Sequence, residues 1–210
     1  MTATAPQVVD FEGLRIEYDE QVLTPRPWTA AQSRWAATLI RTAPPGPVLE
    51  VCSGAGHIGL LAVTLAPRPL VCIDADPAAC SYLRRNAAAA GLRVDVREGR
   101  MDEVLDRDEE FAVIIADPPW VPTDDTHRFP EDPVSAIDGG ADGLDLVHSC
   151  LVVIDRHLAV AGSAVLQTGP DQAERVVDMV AGYAELAVIE VRELERGALV
   201  QVDRIIATAA

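Results

Sequence analysis

The residues best placed to do chemistry are Asp117-Pro118-Pro119-Trp120, which follow the apolar run "FAVIIA" at 111–116. A buried strand ending this way delivers an acid on a rigid backbone. The residue before a proline is held extended, and each proline fixes φ and lacks an N–H. The local carbonyls therefore stay free to accept. The Asp117 carboxylate and the Pro118 carbonyl can together face one N–H₂ group, such as a planar amide or an exocyclic amine presents. Held by both hydrogens, that nitrogen is turned toward an electrophile, and Trp120 can stack on the flat group beside it. Such a corner works by orientation and electrostatics, with Asp117, Pro118, Pro119 and Trp120 as the catalytic candidates. The plain alternative is a strand-terminating acid, a proline turn and a buried indole.

A second constellation lies upstream. "LEVCSGAGHIGL" at 49–60 spaces Gly54, Gly56 and Gly59 as GxGxxG between an apolar strand and a helix. Glycine permits positive φ and close backbone approach, and the helix start offers free N–H groups. Asp74 ends the next apolar strand, 20 residues after Gly54, where a carboxylate can accept from both hydroxyls of a ribose. Loop and acid suit a dinucleotide and S-adenosylmethionine alike; a tight turn with a capping acid is the bland reading. Two features favour S-adenosylmethionine. Glu50, inside the strand end, can orient the loop and reach a cofactor ammonium, and it would be unwelcome beside a pyrophosphate. The Asp-Pro-Pro-Trp corner is the other, since a dehydrogenase has no use for it.

The loop residues expected at the cofactor are Glu50, Cys52, Ser53, Gly54, Ala55, Gly56 and Ile58. Asp74 and Ala75 follow the second strand, Met101 faces the adenine ring, Asp102 meets the adenine amine, and Asp117 closes the set. Cys52 also reads as buried filler, Met101 as a core contact and Asp102 as a cap for 103–106. His57 reads as packing at the helix start.

These residues need a frame, and the chain supplies one by alternation. Strands are expected at 47–52, 70–74, 93–98, 111–116, 163–168, 185–192 and 198–208. Helices are expected at 57–66, 77–90, 143–158 and 170–182, with a turn or short helix at 101–106. Repeated β-α-β with apolar strands implies an α/β fold, a mainly parallel sheet with helices on both faces. Ligands in such sheets bind beyond the carboxyl ends of the strands. The last two strands are joined by a short turn, so one of them runs antiparallel. Upstream, Trp28, Ala31, Trp35 and Leu39 recur at helical spacing within 27–42. Strands around Gly13 within 7–24 pair as a hairpin. "APPGP" at 43–47 breaks the chain and separates an N-terminal extension, 1–42, packed on the core, from a domain at 43–210. The loop 117–141 forms a rim over the acceptor site, where His127, Asp124, Asp125 and Asp138 read as solvated or capping groups.

Composition narrows the classes. A chain of 210 residues with 49% hydrophobic content suits one domain with a sizeable core. No uncharged apolar stretch is long enough to span a membrane, and "MTATAPQVVDFEG" has neither the basic nor the apolar part of a secretory signal. The four cysteines, Cys52, Cys72, Cys80 and Cys150, show no CxxC pairing and no zinc spacing. They imply reduced thiols, a cytoplasmic setting and no metal. A net charge of −16 argues against a broad nucleic-acid footprint.

Taken together, the motifs resemble class I S-adenosylmethionine-dependent methyltransferases of the HemK type, which methylate the glutamine amide of peptide release factors. "VLTPRPWT" (22–29) is similar to that family's "vliPRpeTE", "VLEVCSGAGHIGL" to its glycine motif and "VCIDADPAAC" to its ribose-acid motif. "DPPWVP" stands where the family has "NPPYip", and "DPVSAIDGGADGLDL" (132–146) resembles "EPxxALxgGxdGLd". The resemblance spans 22–170 and implies a Rossmann-like class I methyltransferase fold with a seven-stranded sheet and S-adenosylmethionine as cofactor. It places Arg26, Trp28 and Trp120 at the substrate. The sequence departs from the family at Asp117 (Asn there), Trp120 (Tyr), Asp132 (Glu) and Ala30 (Glu), and the family's N-terminal helical domain has no counterpart before Val22. Asp-Pro-Pro-Tyr corners also occur in methyltransferases of the adenine amine.

The expected function is therefore transfer of a methyl group to a planar amide or amine nitrogen of a protein or small-molecule acceptor. The alternative is a nucleic-acid adenine N-methyltransferase, which shares the chemistry but needs a basic stripe. Arg26 has a second reading as an intraprotein ion-pair partner. A non-catalytic cofactor-binding subunit and a nicotinamide oxidoreductase are further readings, disfavoured by the corner.

Overall fold

In the computed structural model, which describes residues 5–205, the chain opens with an antiparallel hairpin of β1 (Gln7–Phe11) and β2 (Leu14–Tyr18). Glu12 and Gly13 turn it with positive φ, and Asp10 accepts from the Gly13 N–H at 3.1 Å. A 3-10 turn at Pro27–Thr29 leads into α1 (Ala30–Thr42). Next come β3 (Val48–Val51), α2 (His57–Leu65), β4 (Leu70–Asp74), α3 (Pro77–Ala89) and β5 (Val94–Glu98). β6 (Phe111–Ala116) is followed by a 3-10 stretch, Thr123–Arg128, and a short α4 (Val134–Ile137). The remainder is α5 (Asp145–His157), β7 (Leu158–Thr168), α6 (Ala173–Val180), β8 (Leu186–Leu194) and β9 (Gly197–Arg204).

Seven strands form one sheet in the order β5-β4-β3-β6-β7-β9-β8. Only β9 runs against its neighbours, as the short turn before it requires. From β3 the chain steps outward through β4 to β5, then returns to set β6 on the other side of β3. That reversal opens a crevice beyond the carboxyl ends of β3 and β6.

Strand parity divides the core into two layers. Val48, Val113 and Ile115 meet α1, α2, α3 and the hairpin through Ile40, Leu60, Leu83 and Ile16. Leu49, Val51 and Ile114 face the opposite way, toward Val147, Leu151 and Ile154 of α5 and Val176 of α6. Each such side chain, fully buried, contributes about 1.5–3 kcal/mol. The hairpin is tied to this frame by Asn86 of α3. Its Nδ2 donates to the Glu17 and Ala55 carbonyls, at 3.0 and 2.9 Å, and its Oδ1 accepts from the Glu17 N–H at 2.8 Å.

Two strand bounds change and one open reading is resolved. β7 starts at Leu158, five residues early, because Leu158 pairs with Phe111 before a bulge that brings Ser163 opposite Val113. Ala161 in the bulge has φ 61°. The stretch 101–106, expected as a turn or short helix, is a turn. The last strand ends at Arg204, and its expected continuation over 206–208 lies outside the described residues.

Candidate active site

The glycine loop runs from β3 into α2 through three residues with positive φ, two of them glycines of the motif. Gly54 (φ 52°) and Gly56 (φ 83°) sit in glycine's natural region, and Cys52 (φ 55°) joins them despite its side chain. Asp74 at the end of β4 holds the loop, its Oδ2 accepting from the Gly54 N–H at 2.7 Å while Oδ1 accepts from Asp76 N–H at 2.9 Å. Burial raises the Asp74 pKa above its ordinary value even against these bonds.

Glu50 does not take the position expected of it. In β3 it pairs with Cys72 and Ile115, residues of the layer covered by α1–α3, so parity turns its carboxylate under α2 and away from the crevice. There it accepts from the Gly59 N–H at 2.8 Å and the Cys72 thiol at 3.3 Å. It orients the loop from behind and does not reach the cavity wall. Burial pushes its pKa up from 4.5 to about 8. A buried acid with a raised pKa is neutral in the folded state, so its folding contribution is intact below about pH 4.5 and is lost as pH rises toward 8. Glu50→Gln, which cannot ionise, is expected to gain stability relative to the natural protein between pH 5 and pH 9, by on the order of a few kcal/mol. Denaturant titrations at the two pH values check it; a pH-independent difference would contradict the burial argument.

In front of the loop lies a cavity of about 470 Å³, within the range of small-molecule sites. Cys52, Ser53, Gly54, Ala55 and Ile58 form one wall, and Asp74, Ala75, Met101 and Asp102 another. Asp117 and Pro119 lie on it too. Asp102 is exposed and bonded to Arg100 at 3.2 Å, which lowers its pKa. The half-buried Cys52 thiol, beside Cys150, has its pKa raised well above the ordinary thiol value and stays protonated. His57 also touches the cavity. Its Nε2 meets Thr29 Oγ1 at 3.2 Å, its ring packs edge-on to Phe11, and burial lowers its pKa to about 4, so it is neutral.

The corner after β6 is clamped at both ends by glutamine amides. Gln32 of α1 donates to the Ala116 and Val165 carbonyls at 2.9 and 3.0 Å. Gln172, in the turn before α6, donates to the Trp120 carbonyl at 3.0 Å and accepts from the Gly169 N–H at 2.8 Å. Between these clamps the Asp117 carboxylate and the Pro118 carbonyl accept no hydrogen bond among the described residues. Asp117 sits on the cavity floor, surrounded by protein atoms yet partly open to the space, and burial raises its pKa to about 7. Gln172→Leu, which removes one clamp, is expected to lower turnover roughly tenfold or more while ligand affinity at the glycine loop holds, since small misplacements of reacting groups are costly. Steady-state kinetics beside a binding titration check it.

Several predicted site residues stand elsewhere. Gly56 lies behind the wall, where a Cβ would fall 2.7 Å from Leu83 Cγ. Pro118 is buried. Trp120 packs on Gly169, whose added Cβ would lie within contact distance of the indole, and it does not reach the cavity wall. Arg26 and Trp28 are also off the wall. Arg26 pairs with Asp132 of the rim, so the ion-pair reading holds, and Trp28 packs between the Arg26 and Arg196 guanidinium groups, at 5.8 and 4.8 Å. In their place the N-terminal segment supplies Gln21, Val22 and Leu23, the rim supplies Ser135, Ala136 and Asp138, and α5 supplies Leu146 and Ser149. No spacing in the sequence marks those residues, and Gln32 and Gln172 carry none either, because all act across long sequence separations.

A methyltransferase domain family matches residues 48–133, which hold the glycine loop, Asp74 and the corner. A release factor glutamine methyltransferase of Xylella fastidiosa is 31% identical over 200 residues, covering 92% of this chain and 72% of that protein. The chain belongs to the release factor glutamine methyltransferase family. Another family member, from Geobacter sulfurreducens, is 34% identical over 177 residues, and there the match covers 81% of this chain but 61% of the relative's length. A Pyrococcus furiosus methyltransferase structure shares the class I fold, with a TM-score of 0.67 at 17% identity over 91% of this chain and 89% of that one.

The family's methyl donor, S-adenosylmethionine, fits the residues present. It is a net cation, with a sulfonium and an ammonium against one carboxylate. The cavity carries the carboxylates of Asp74, Asp76, Asp102, Asp117 and Asp138. Its one guanidinium among the described residues, Arg100, is engaged by Asp102 and Glu103. A pyrophosphate would be repelled by the same wall.

Proposed function

We propose that this chain is an S-adenosylmethionine-dependent N-methyltransferase whose acceptor is a side-chain amide of a protein. The observation that carries this reading is the free Asp117 carboxylate on the wall of a cation-suited cavity, followed in the chain by a Pro118 carbonyl that accepts no hydrogen bond among the described residues. Two acceptors match the two hydrogens of one amide N–H₂. The bound donor would supply an electrophilic methyl group. Asp117 and Pro118 hold the nitrogen and keep its lone pair aimed across the floor. Asp74 serves the ribose, and Met101 and Asp102 the adenine. The extension before residue 43 belongs to this site, because Gln21, Val22 and Leu23 roof the cavity and the Arg26–Asp132 pair ties that roof to the rim. The charge of −16 favours a protein acceptor over a nucleic acid, and the four free cysteines suit a cytoplasmic enzyme. The test is transfer of labelled methyl from S-adenosylmethionine into a cell extract separated into protein, nucleic acid and small molecules. Label in protein supports the reading. Label confined to nucleic acid or to small molecules overturns the protein acceptor.

A further inference from the structure

Methylation of a neutral amide by a sulfonium donor releases a proton, and something must take it. In the family the corner residue is an asparagine, which cannot. Here it is Asp117, on the cavity floor, with no hydrogen-bond donor and no cation beside it among the described residues. We propose that Asp117 is the proton acceptor of the reaction and that its ionisation follows the charge of the donor, being expelled of its proton by the cationic donor and refilled from the acceptor nitrogen. This inference rests on the methyltransferase reading above.

The surroundings of Asp117 support it. Sharing the cavity with it are Cys52 from the glycine loop, neutral His57 at the start of α2, Asp74 and Asp76 beyond β4, Asp138 from the rim, and Arg100 and Asp102 beyond β5. Glu50, whose carboxylate lies under α2 and feels the charges of Asp117 and Asp74, is held protonated near pH 7 by its burial and offers no positive charge to Asp117. Arg100 is already engaged by two acids. No group in this set offsets a negative charge on Asp117, so the empty-handed acid holds its proton until about pH 7. A cation placed in the cavity reverses that preference. Asp117 then accepts the amide N–H proton as the nitrogen–carbon bond forms and the sulfur–carbon bond pair returns to sulfur. The sulfur is left as an uncharged thioether, and a protonated Asp117 is the state the cavity prefers beside it. The charge balance closes without a further reactant.

Calorimetric titration of the full chain at pH 7, in buffers of different ionisation enthalpy, counts the protons released on binding. S-adenosylmethionine is expected to release about half a proton, because Asp117 is half ionised beforehand and fully ionised afterwards. The thioether product, without the sulfonium charge, is expected to release much less. Asp117→Asn, with the same shape, is expected to bind the donor, to release almost none, and to lose the rise of kcat/KM through pH 7. Equal release by Asp117→Asn would assign the proton to another acid such as Asp74 and overturn the proposal. Tight donor binding without proton release by the natural protein would overturn it too, while leaving the methyltransferase reading in place. Absence of donor binding would sink both.

Discussion

Asp117→Ala is expected to lower methyl transfer by roughly a hundred- to a thousandfold, the scale on which a preorganised electrostatic contact in an active site acts. Donor affinity is expected to fall far less, by about tenfold, since the carboxylate is one charge among several facing the donor. The split follows from the geometry. The wall opposite the corner is built by Asp74 and the glycine loop, which Asp117 does not hold; Asp117 and Pro118 accept no hydrogen bond among the described residues. Alanine keeps the backbone clamps from Gln32 and Gln172, so the fold should persist. Kinetics and a binding titration on the same preparation measure both numbers. Turnover within a factor of two of the natural protein would contradict the role of the corner.

Gly59→Ala is expected to be strongly destabilising, by about 3 kcal/mol or more, as overpacking of a rigid buried site can be. A Cβ at Gly59 would overlap the Glu50 carboxylate, whose Oε1 accepts the Gly59 N–H at 2.8 Å. Glu50 is 2% exposed and has no space to retreat into. The third glycine of the motif thus answers to packing between α2 and β3, not to a ligand. In a double-mutant cycle, Glu50→Ala should relieve part of the cost of Gly59→Ala. Denaturant unfolding measures it, and additive losses would show that the two positions do not meet as described.

Most of the frame was legible because strand and helix periods are local signals. The apolar runs at 48–51, 70–74 and 111–116 became adjacent central strands, and Asp74 and Asp117 reached the same cavity from their carboxyl ends. Glu50 was misjudged in direction, not in importance. Its neighbours Leu49 and Val51 face one layer and Glu50 the other, and parity in a strand buried on both faces leaves no polar side to read. Trp120 and Arg26 were drawn away by partners far along the chain, Gly169 and Asp132. The roof from Gln21–Leu23 and the two glutamine clamps are products of tertiary packing, which short-range spacing does not encode.

The most direct test of the account is to incubate the protein with methyl-deuterated S-adenosylmethionine and a purified bacterial release factor, then map the label by mass spectrometry of the digested acceptor. The account predicts label on a side-chain amide nitrogen of the acceptor protein, dependent on the donor and lost with Asp117→Ala. Label on carbon, oxygen or sulfur, or undiminished label with Asp117→Ala, would contradict it.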